Sequence, residues 1–309
     1  MRKLRLGTRG SRLALWQADC VAGAIRNLRP DIEIEIEIIR TTGDKILDVA
    51  LSKIGDKGLF TKEIENSLLA GDIDLAVHSM KDLPSFLAPG LTLGAVLKRE
   101  KPQDVLISHK NYTLPSLPPN GRIGTSSLRR IAQLRALRPD LHMVNMRGNV
   151  ETRIKKMQAE DLDGIILAYA GVARLGFSDR INEIIDTDLI LPAVGQGAIA
   201  VELRDDDGEA RQAVAPVDDW HTRWATQSER SLLRELEGGC QVPIASLARV
   251  EGDMIHLEGL VASMDGQRII RGSQSGPLQE AVEIGKLLAR NLLDRGADRI
   301  LDEIKRLGE

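Results

Sequence analysis

The sequence predicts an α/β protein with more than one domain, and three observations carry that reading. At 309 residues and 42% hydrophobic content, the chain can bury two or three separate cores, given about 150 residues per domain. Aromatic residues make up only 3%, so Leu, Ile, Val and Ala do the apolar work, as they do where helices cover sheets. Strand-like and helix-like runs alternate from the start of the chain, which favours a mostly parallel sheet.

Leu4-Arg5-Leu6-Gly7-Thr8 reads as a first strand. Ser11 can cap a helix reaching about Leu28, with Leu13, Trp16, Cys20, Ala24 and Leu28 at helical spacing. Cys20 lies in that apolar stripe and is expected in the core, where a free cysteine behaves as a small hydrophobe. Ile32 to Ile38 alternates Ile with Glu, the period of a strand with one polar face. Thr42 to Lys57 has no sustained period and reads as a loop. A helix from Phe60 to Leu69, a strand Leu75-Ala76-Val77 and a polar turn from His78 to Pro84 follow. A second α/β unit spans about Asp104 to Leu191, with a strand and turn from Ile123 to Ser127, a helix beyond it and a strand from Gly164 to Ala168. The Pro-rich Leu114 to Pro119 reads as a surface connection. A long helix from Asp218 to Glu237, strands Met254 to Val261 and Arg268 to Ser273, and a helix from about Leu278 to Leu293 make a small α+β unit. No internal repeat is evident.

Composition excludes several classes. A net charge of −3 argues against a general nucleic-acid binder. The basic N-terminus lacks a following apolar segment, and no run approaches the ~18 apolar residues of a membrane span, so a cytoplasmic protein without membrane or nucleic-acid partners is expected. Two cysteines 220 positions apart and five scattered histidines form no disulfide framework and no metal-ligand spacing. Charge is nevertheless uneven, with nine Lys or Arg against two Asp or Glu between Arg122 and Lys156. An anionic ligand is implied.

The residues that could hold it sit at element boundaries. Arg9, Arg129, Arg130 and Arg147 each neighbour Gly, Ser, Thr or Asn, where backbone N–H groups and hydroxyls can join a guanidinium around a carboxylate; a solvated basic face is the plain alternative. Arg135 and Arg138 read as surface residues of an amphipathic helix. Thr125-Ser126-Ser127 sets hydroxyls at a helix N-terminus, which suits either a cap or an anion site. Asp82, closed off by Pro84, is either a turn-forming residue or a carboxylate that hydrogen-bonds a ring N–H and stabilises a cationic intermediate.

Leu236-Glu237-Gly238-Gly239-Cys240-Gln241-Val242-Pro243 places the other cysteine in a glycine-flanked, proline-closed loop that something bulky can approach. A cysteine nucleophile gains from a helix N-terminus or a paired imidazolium. Cys240 instead follows a helix C-terminus, whose dipole raises a thiol pKa, and a once-only covalent attachment suits it better than turnover.

Together with Thr8 to Ser11, Leu13 to Gln17, Asp56 to Phe60, Val77 to Asp82, Gly124 to Arg130, Arg147 to Val150 and Leu191 to Gly197, this loop resembles the porphobilinogen deaminase (hydroxymethylbilane synthase) family, and the ordered match spans the chain. The resemblance implies three domains: two α/β domains resembling periplasmic-binding-protein halves and a small α+β C-terminal domain. It implies a dipyrromethane cofactor held by a thioether to Cys240, on which four porphobilinogen units condense head-to-tail with loss of ammonia before water releases a linear tetrapyrrole for haem and porphyrin biosynthesis. Asp82 matches the catalytic carboxylate, also in contact with the cofactor. Lys81, Ser79, Ser127, Arg129, Arg130 and Arg147 match cofactor-binding positions, and Arg9, Ser11, Lys53, Lys57, Arg153, Arg174 and Gln196 match positions that bind substrate. Gly10 and Arg12 depart from the Gln and Pro common there, and Ala245 from a common Gly; none of these removes a group the chemistry needs.

The domains expected are residues 1–98 with a returning segment 198–216, then 103–192, then 218–309, in a monomer. A non-enzymatic two-domain anion-binding protein and a cysteine hydrolase with His78 as base are the rival readings.

Overall fold

The computed structural model describes residues 2–45, 61–236 and 242–308. Its first sheet takes β1 (Arg2–Thr8), β2 (Ile32–Ile38), β3 (Leu75–Ser79), β4 (Leu91–Val96) and a late strand, β10 (Ile199–Arg204), in the order β2-β1-β3-β10-β4. β1 runs parallel to β2, with Leu4 opposite Ile34, and parallel to β3. The alternation in β2 buries Ile32 and Ile34 while Glu33 and Glu35 face water. Helix α1 (Arg12–Leu28) starts where the Ser11 hydroxyl accepts the Ala14 N–H, and its Ala18, Val21, Ala22 and Ile25 pack on Leu4, Leu6 and Val201. Cys20 is only half-buried, at the edge of this core. The short α2 (Thr42–Lys45) opens the stretch read as a loop, whose remainder lies outside the described residues, and α3 (Lys62–Ala70) follows.

The sheet is mixed rather than mostly parallel. After β4 the chain crosses through residues 97–103 into a second sheet and returns through 192–198, so β10 enters from the far side and pairs antiparallel with both β3 and β4. A strand that returns from a neighbouring unit has no crossover helix to reverse it, and local alternation cannot reveal that.

The second sheet has β5 (Asp104–Ile107), β6 (Arg122–Gly124), β7 (His142–Val144), β8 (Gly164–Ala168) and β9 (Glu183–Ile184) in the order β7-β6-β8-β5-β9. β6 runs parallel to β7 and β8, while β5 is antiparallel to β8 and β9. Helices α4 (Leu128–Leu137), α5 (Val150–Ala159) and α6 (Tyr169–Arg174) belong to this unit. The Pro-rich connection is not all surface: Leu114 and Leu117 are buried against Leu134 and Leu141.

Beyond α7 (Gly208–Val214), α8 (Trp220–Glu235) leads to an antiparallel sheet of β11 (Ile244–Glu251), β12 (Met254–Ala262) and β13 (Ile269–Pro277). α8, α9 (Ala281–Leu292) and α10 (Asp298–Gly308) share its core, with Leu232, Ile255, Leu257 and Leu288 at the centre. Gly285 lets α9 approach α8 closely, since a Cβ there would stand 2.5 Å from the Ser228 carbonyl oxygen. On the sheet's other face Leu247 and Leu260 cluster with Ala132 of α4. No helix among the described residues is long and apolar enough to cross a membrane.

Candidate active site

Parallel strands bring chemistry to one edge of each sheet, beyond their carboxyl ends. In the first sheet, β1 delivers Arg9 and Ser11 to the edge where β3 delivers Ser79, Lys81 and Asp82. The polar turn of the sequence reading is shorter than expected: His78 and Ser79 are still in the strand, and Met80–Asp82 form a single 3-10 turn. Met80 fixes that turn. It is buried, its N–H donates to the Ala198 carbonyl at 3.0 Å, and Gly195 lies against its side chain. At Gly195 φ is +70°, and a Cβ would meet Met80 Cγ at 2.4 Å, so only glycine suits this turn.

His78 turns inward, with Nε2 3.1 Å from Glu202 Oε2 in a buried pair. That removes it from the role of a free base. Ser79 is held by the Gln17 amide at 2.8 Å, and the Ser11 hydroxyl is used as the α1 cap. Asp82 is exposed, and Lys81 beside it is half-buried. Burial pushes the Lys81 ammonium down to about 8, with Asp82 opposing and Arg130 adding to the shift.

In the second sheet, β6 ends at Gly124 and the chain turns through Thr125 to Ser127 into α4. Ser126 bonds the Met146 carbonyl, whereas Ser127 occupies the cap position without making a capping bond. Arg129 and Arg130 are buried, with only 5% and 6% of their surfaces exposed. They converge on Asp104, fully buried at the start of β5, at 2.8 and 2.7 Å. Burial alone would raise the Asp104 carboxyl, but the two guanidiniums hold it well below the ordinary carboxylate range. Asn149 caps α5 by accepting the Thr152 N–H at 2.9 Å, and Arg153 donates to the Gly148 carbonyl at 2.8 Å. Burial, with Arg130 and Arg147 nearby, pushes Arg153 down to about 10, and Asp82 pulls the other way.

These mutual influences gather Lys81, Arg129, Arg130, Arg147 and Arg153 around Asp82 and Asp104. The set carries five positive charges against two negative ones. A buried Nε on Arg130 has no acceptor among the described residues. Cations desolvated in this way are stabilised by an anion placed among them, so the cluster fits a polycarboxylate such as the dipyrromethane of the sequence reading.

Two other residues read from the sequence are tied to the crossovers. Gln196 is buried between the two crossovers, donating to Pro102 O at 2.6 Å and Asp104 Oδ1 at 2.8 Å, so it supports the site and does not line an open surface. Arg174 packs over the Trp16 ring at 5.5 Å and donates to Gly197 O at 2.6 Å. Burial lowers its pKa. Cys240, Lys53 and Lys57 lie outside the described residues. Asp104 and Glu202 were invisible to sequence reasoning, because a lone acid in an apolar strand gives no sign of the side chain it will meet.

The family model described as porphobilinogen deaminase, dipyromethane cofactor binding domain, matches residues 4–212, and the model of the porphobilinogen deaminase C-terminal domain matches residues 224–294. The chain belongs to the porphobilinogen deaminase family. Porphobilinogen deaminase of Syntrophomonas wolfei subsp. wolfei is 60% identical over 306 residues, 99% of this chain and 100% of the relative. That of Carboxydothermus hydrogenoformans is 53% identical over 301 residues, 97% of each. The solved methionine binding protein MetQ aligns with a TM-score of 0.45 at 11% identity, over 74% of this chain and 91% of its own. Family membership makes the chain a transferase of tetrapyrrole biosynthesis with a dipyrromethane cofactor-binding domain. Both halves of the cation cluster fall within residues 4–212.

Proposed function

We propose that the chain condenses four porphobilinogen molecules head-to-tail on a dipyrromethane primer joined to Cys240 by a thioether, and releases the linear tetrapyrrole hydroxymethylbilane by hydrolysis. The observation that carries this reading is Asp82, an exposed carboxylate beside two cations whose charge burial disfavours, Lys81 from the first mixed sheet and Arg153 from the second. The primer, when bound, would supply the free pyrrole carbon to which the first unit is joined, each later unit joining the one before it.

The residues then have distinct tasks. Asp82 accepts a pyrrole N–H and stabilises the positive charge that develops as ammonia leaves the substrate. Lys81, Arg129, Arg130 and Arg147, with Ser79 and Ser127, hold the primer's acetate and propionate groups. Arg9, Ser11, Lys53, Lys57, Arg153 and Arg174 receive those of the incoming unit. Gln196 acts behind them, through Asp104. Cys240 tethers the primer from a domain of residues 218–309, and the reaction takes place between a domain of 1–98 with 198–216 and one of 103–192. The enzyme works as a cytoplasmic monomer.

Intact mass under denaturing conditions tests the reading. The purified chain should carry an adduct of dipyrrole size, gain further pyrrole increments on brief exposure to porphobilinogen, and lose the adduct in Cys240→Ser. Active protein of unmodified mass would sink the proposal. Asp82→Ala should keep its fold and lose turnover by about 100-fold or more; unchanged turnover would remove Asp82 from the mechanism.

A further inference from the structure

Asp104 belongs to none of the sequence motifs and reaches no open surface, yet it organises the cation cluster. It is the first residue of β5 and is fully buried. Its Oδ1 accepts from Arg130 Nη2 at 2.7 Å and from Gln196 Nε2 at 2.8 Å. Arg129 Nη2 stands 2.8 Å from Oδ2, an ion pair whose oxygen has no well-aligned hydrogen bond. The other arms are tied as well, Arg129 Nη1 to Leu191 O at 2.8 Å and Arg130 Nη1 to Ile166 O at 2.9 Å. Each guanidinium is therefore fixed at two points, one of them on the same carboxylate, while Arg130 Nε stays buried without an acceptor.

We propose that Asp104 is a positioning residue for the condensation reaction, holding Arg129 and Arg130 in the orientation in which their remaining N–H groups receive the carboxylates of a pyrrole ligand. Two consecutive arginines repel each other in a dry pocket, and without a shared anion they would diverge toward solvent. Asp104 supplies that anion from the start of β5. Gln196 extends the arrangement to the crossovers: its amide holds both Asp104 and the Pro102 carbonyl, and the Gln196 backbone carbonyl accepts from Arg99 Nε at 2.8 Å. The register of the two sheets is thereby linked to the aim of the arginine pair. The inference rests on the proposed primer reading.

Asp104→Glu keeps the charge and moves the carboxylate by one methylene, and Asp104→Asn keeps the shape and removes the charge. The full-length variants would be weighed intact under denaturing conditions and assayed with porphobilinogen, with folding followed by tryptophan fluorescence. The folded variants should carry the dipyrrole adduct in a fraction about five-fold smaller than the parent, and kcat per adduct-bearing molecule should fall about ten-fold or more while KM stays within about three-fold. A structural role alone would reduce the yield of folded protein and leave kcat per loaded molecule intact. Asp104→Glu that loads and turns over like the parent overturns the inference. So does failure of both variants to fold, which would make Asp104 a stability residue. A parent protein without adduct would instead count against the primer reading, and the inference would fall with it.

Discussion

Lys81 holds its proton loosely, because burial and the neighbouring Arg130 disfavour its charge while only Asp82 and Asp104 support it. An anion bound beside it favours the protonated form, so binding and protonation are linked. With a free-site value of about 8, the ammonium is largely present at pH 7 and largely lost at pH 9. Porphobilinogen binding to the primer-free Cys240→Ser protein should therefore weaken by up to about ten-fold between pH 7 and 9, as measured by calorimetry, and Lys81→Met should flatten that dependence. A pH-independent affinity in the parent would remove Lys81 from the anion site. The sign for stability is opposite. Between about 8 and the ordinary 10.5 the unfolded chain binds the Lys81 proton more tightly than the folded one, so the penalty present below pH 8 is relieved as pH rises through that window. Asp82 was legible in the sequence because it ends a polar turn, and Arg129 and Arg130 because they follow the Thr125 to Ser127 turn at the start of α4. Asp104 was not, since only tertiary structure sets β5 beside α4.

Caps decide where the elements that bear these residues begin. Ser11, Asn149 and Asp219 each accept an N–H from the third residue onward, at Ala14, Thr152 and Thr222. Asn149 has the most direct bearing on function, because α5 carries Arg153 within its first turn and Arg147 lies two residues before the cap. Asn149→Ala should cost about 1 kcal/mol, seen as a lower midpoint in urea, with a weaker affinity for porphobilinogen. A stability loss with unchanged affinity would separate the cap from the site. The start of α1 was legible from Ser11 and the apolar spacing that follows it. β11 was missed because its first five residues, Ile244 to Ala248, are all buried, and a strand covered on both faces shows no alternation. α10 was missed for another reason: Gly296, with φ +99°, breaks the helical run after α9, and a stop signal carries no information about a restart.

At the scale of the molecule, the three sheets meet on one buried acid. Glu229 of α8 is fully inaccessible. Its carboxylate accepts from Arg99 Nη1 at 2.5 Å and Nη2 at 3.2 Å in the outgoing crossover, from Gly195 N at 2.7 Å in the returning one, and from Ala248 N at 2.8 Å in β11. The helix that leads to Cys240 is thus anchored on the two crossover segments that join the mixed sheets. Glu229→Gln keeps the volume but leaves the Arg99 guanidinium buried without its counter-charge, an uncompensated charge that costs about 3–5 kcal/mol. The contact between Arg12 of α1 and Glu151 of α5 also spans the two mixed sheets, but its side chains are 61% and 34% exposed. Solvent screening limits such a pair to about 1 kcal/mol or less. Urea unfolding should therefore show a large loss for Glu229→Gln and a small one for Arg12→Ala, although both remove one interaction between units. With its anchor weakened, the C-terminal unit should also unfold ahead of the rest, so the Glu229→Gln transition should broaden or split when tryptophan fluorescence is compared with far-ultraviolet circular dichroism; Trp220 and Trp224 lie on α8 itself. Equal small losses for the two variants, with coincident transitions, would mean that the sheets are held by their apolar contacts alone and that Glu229 does not join them.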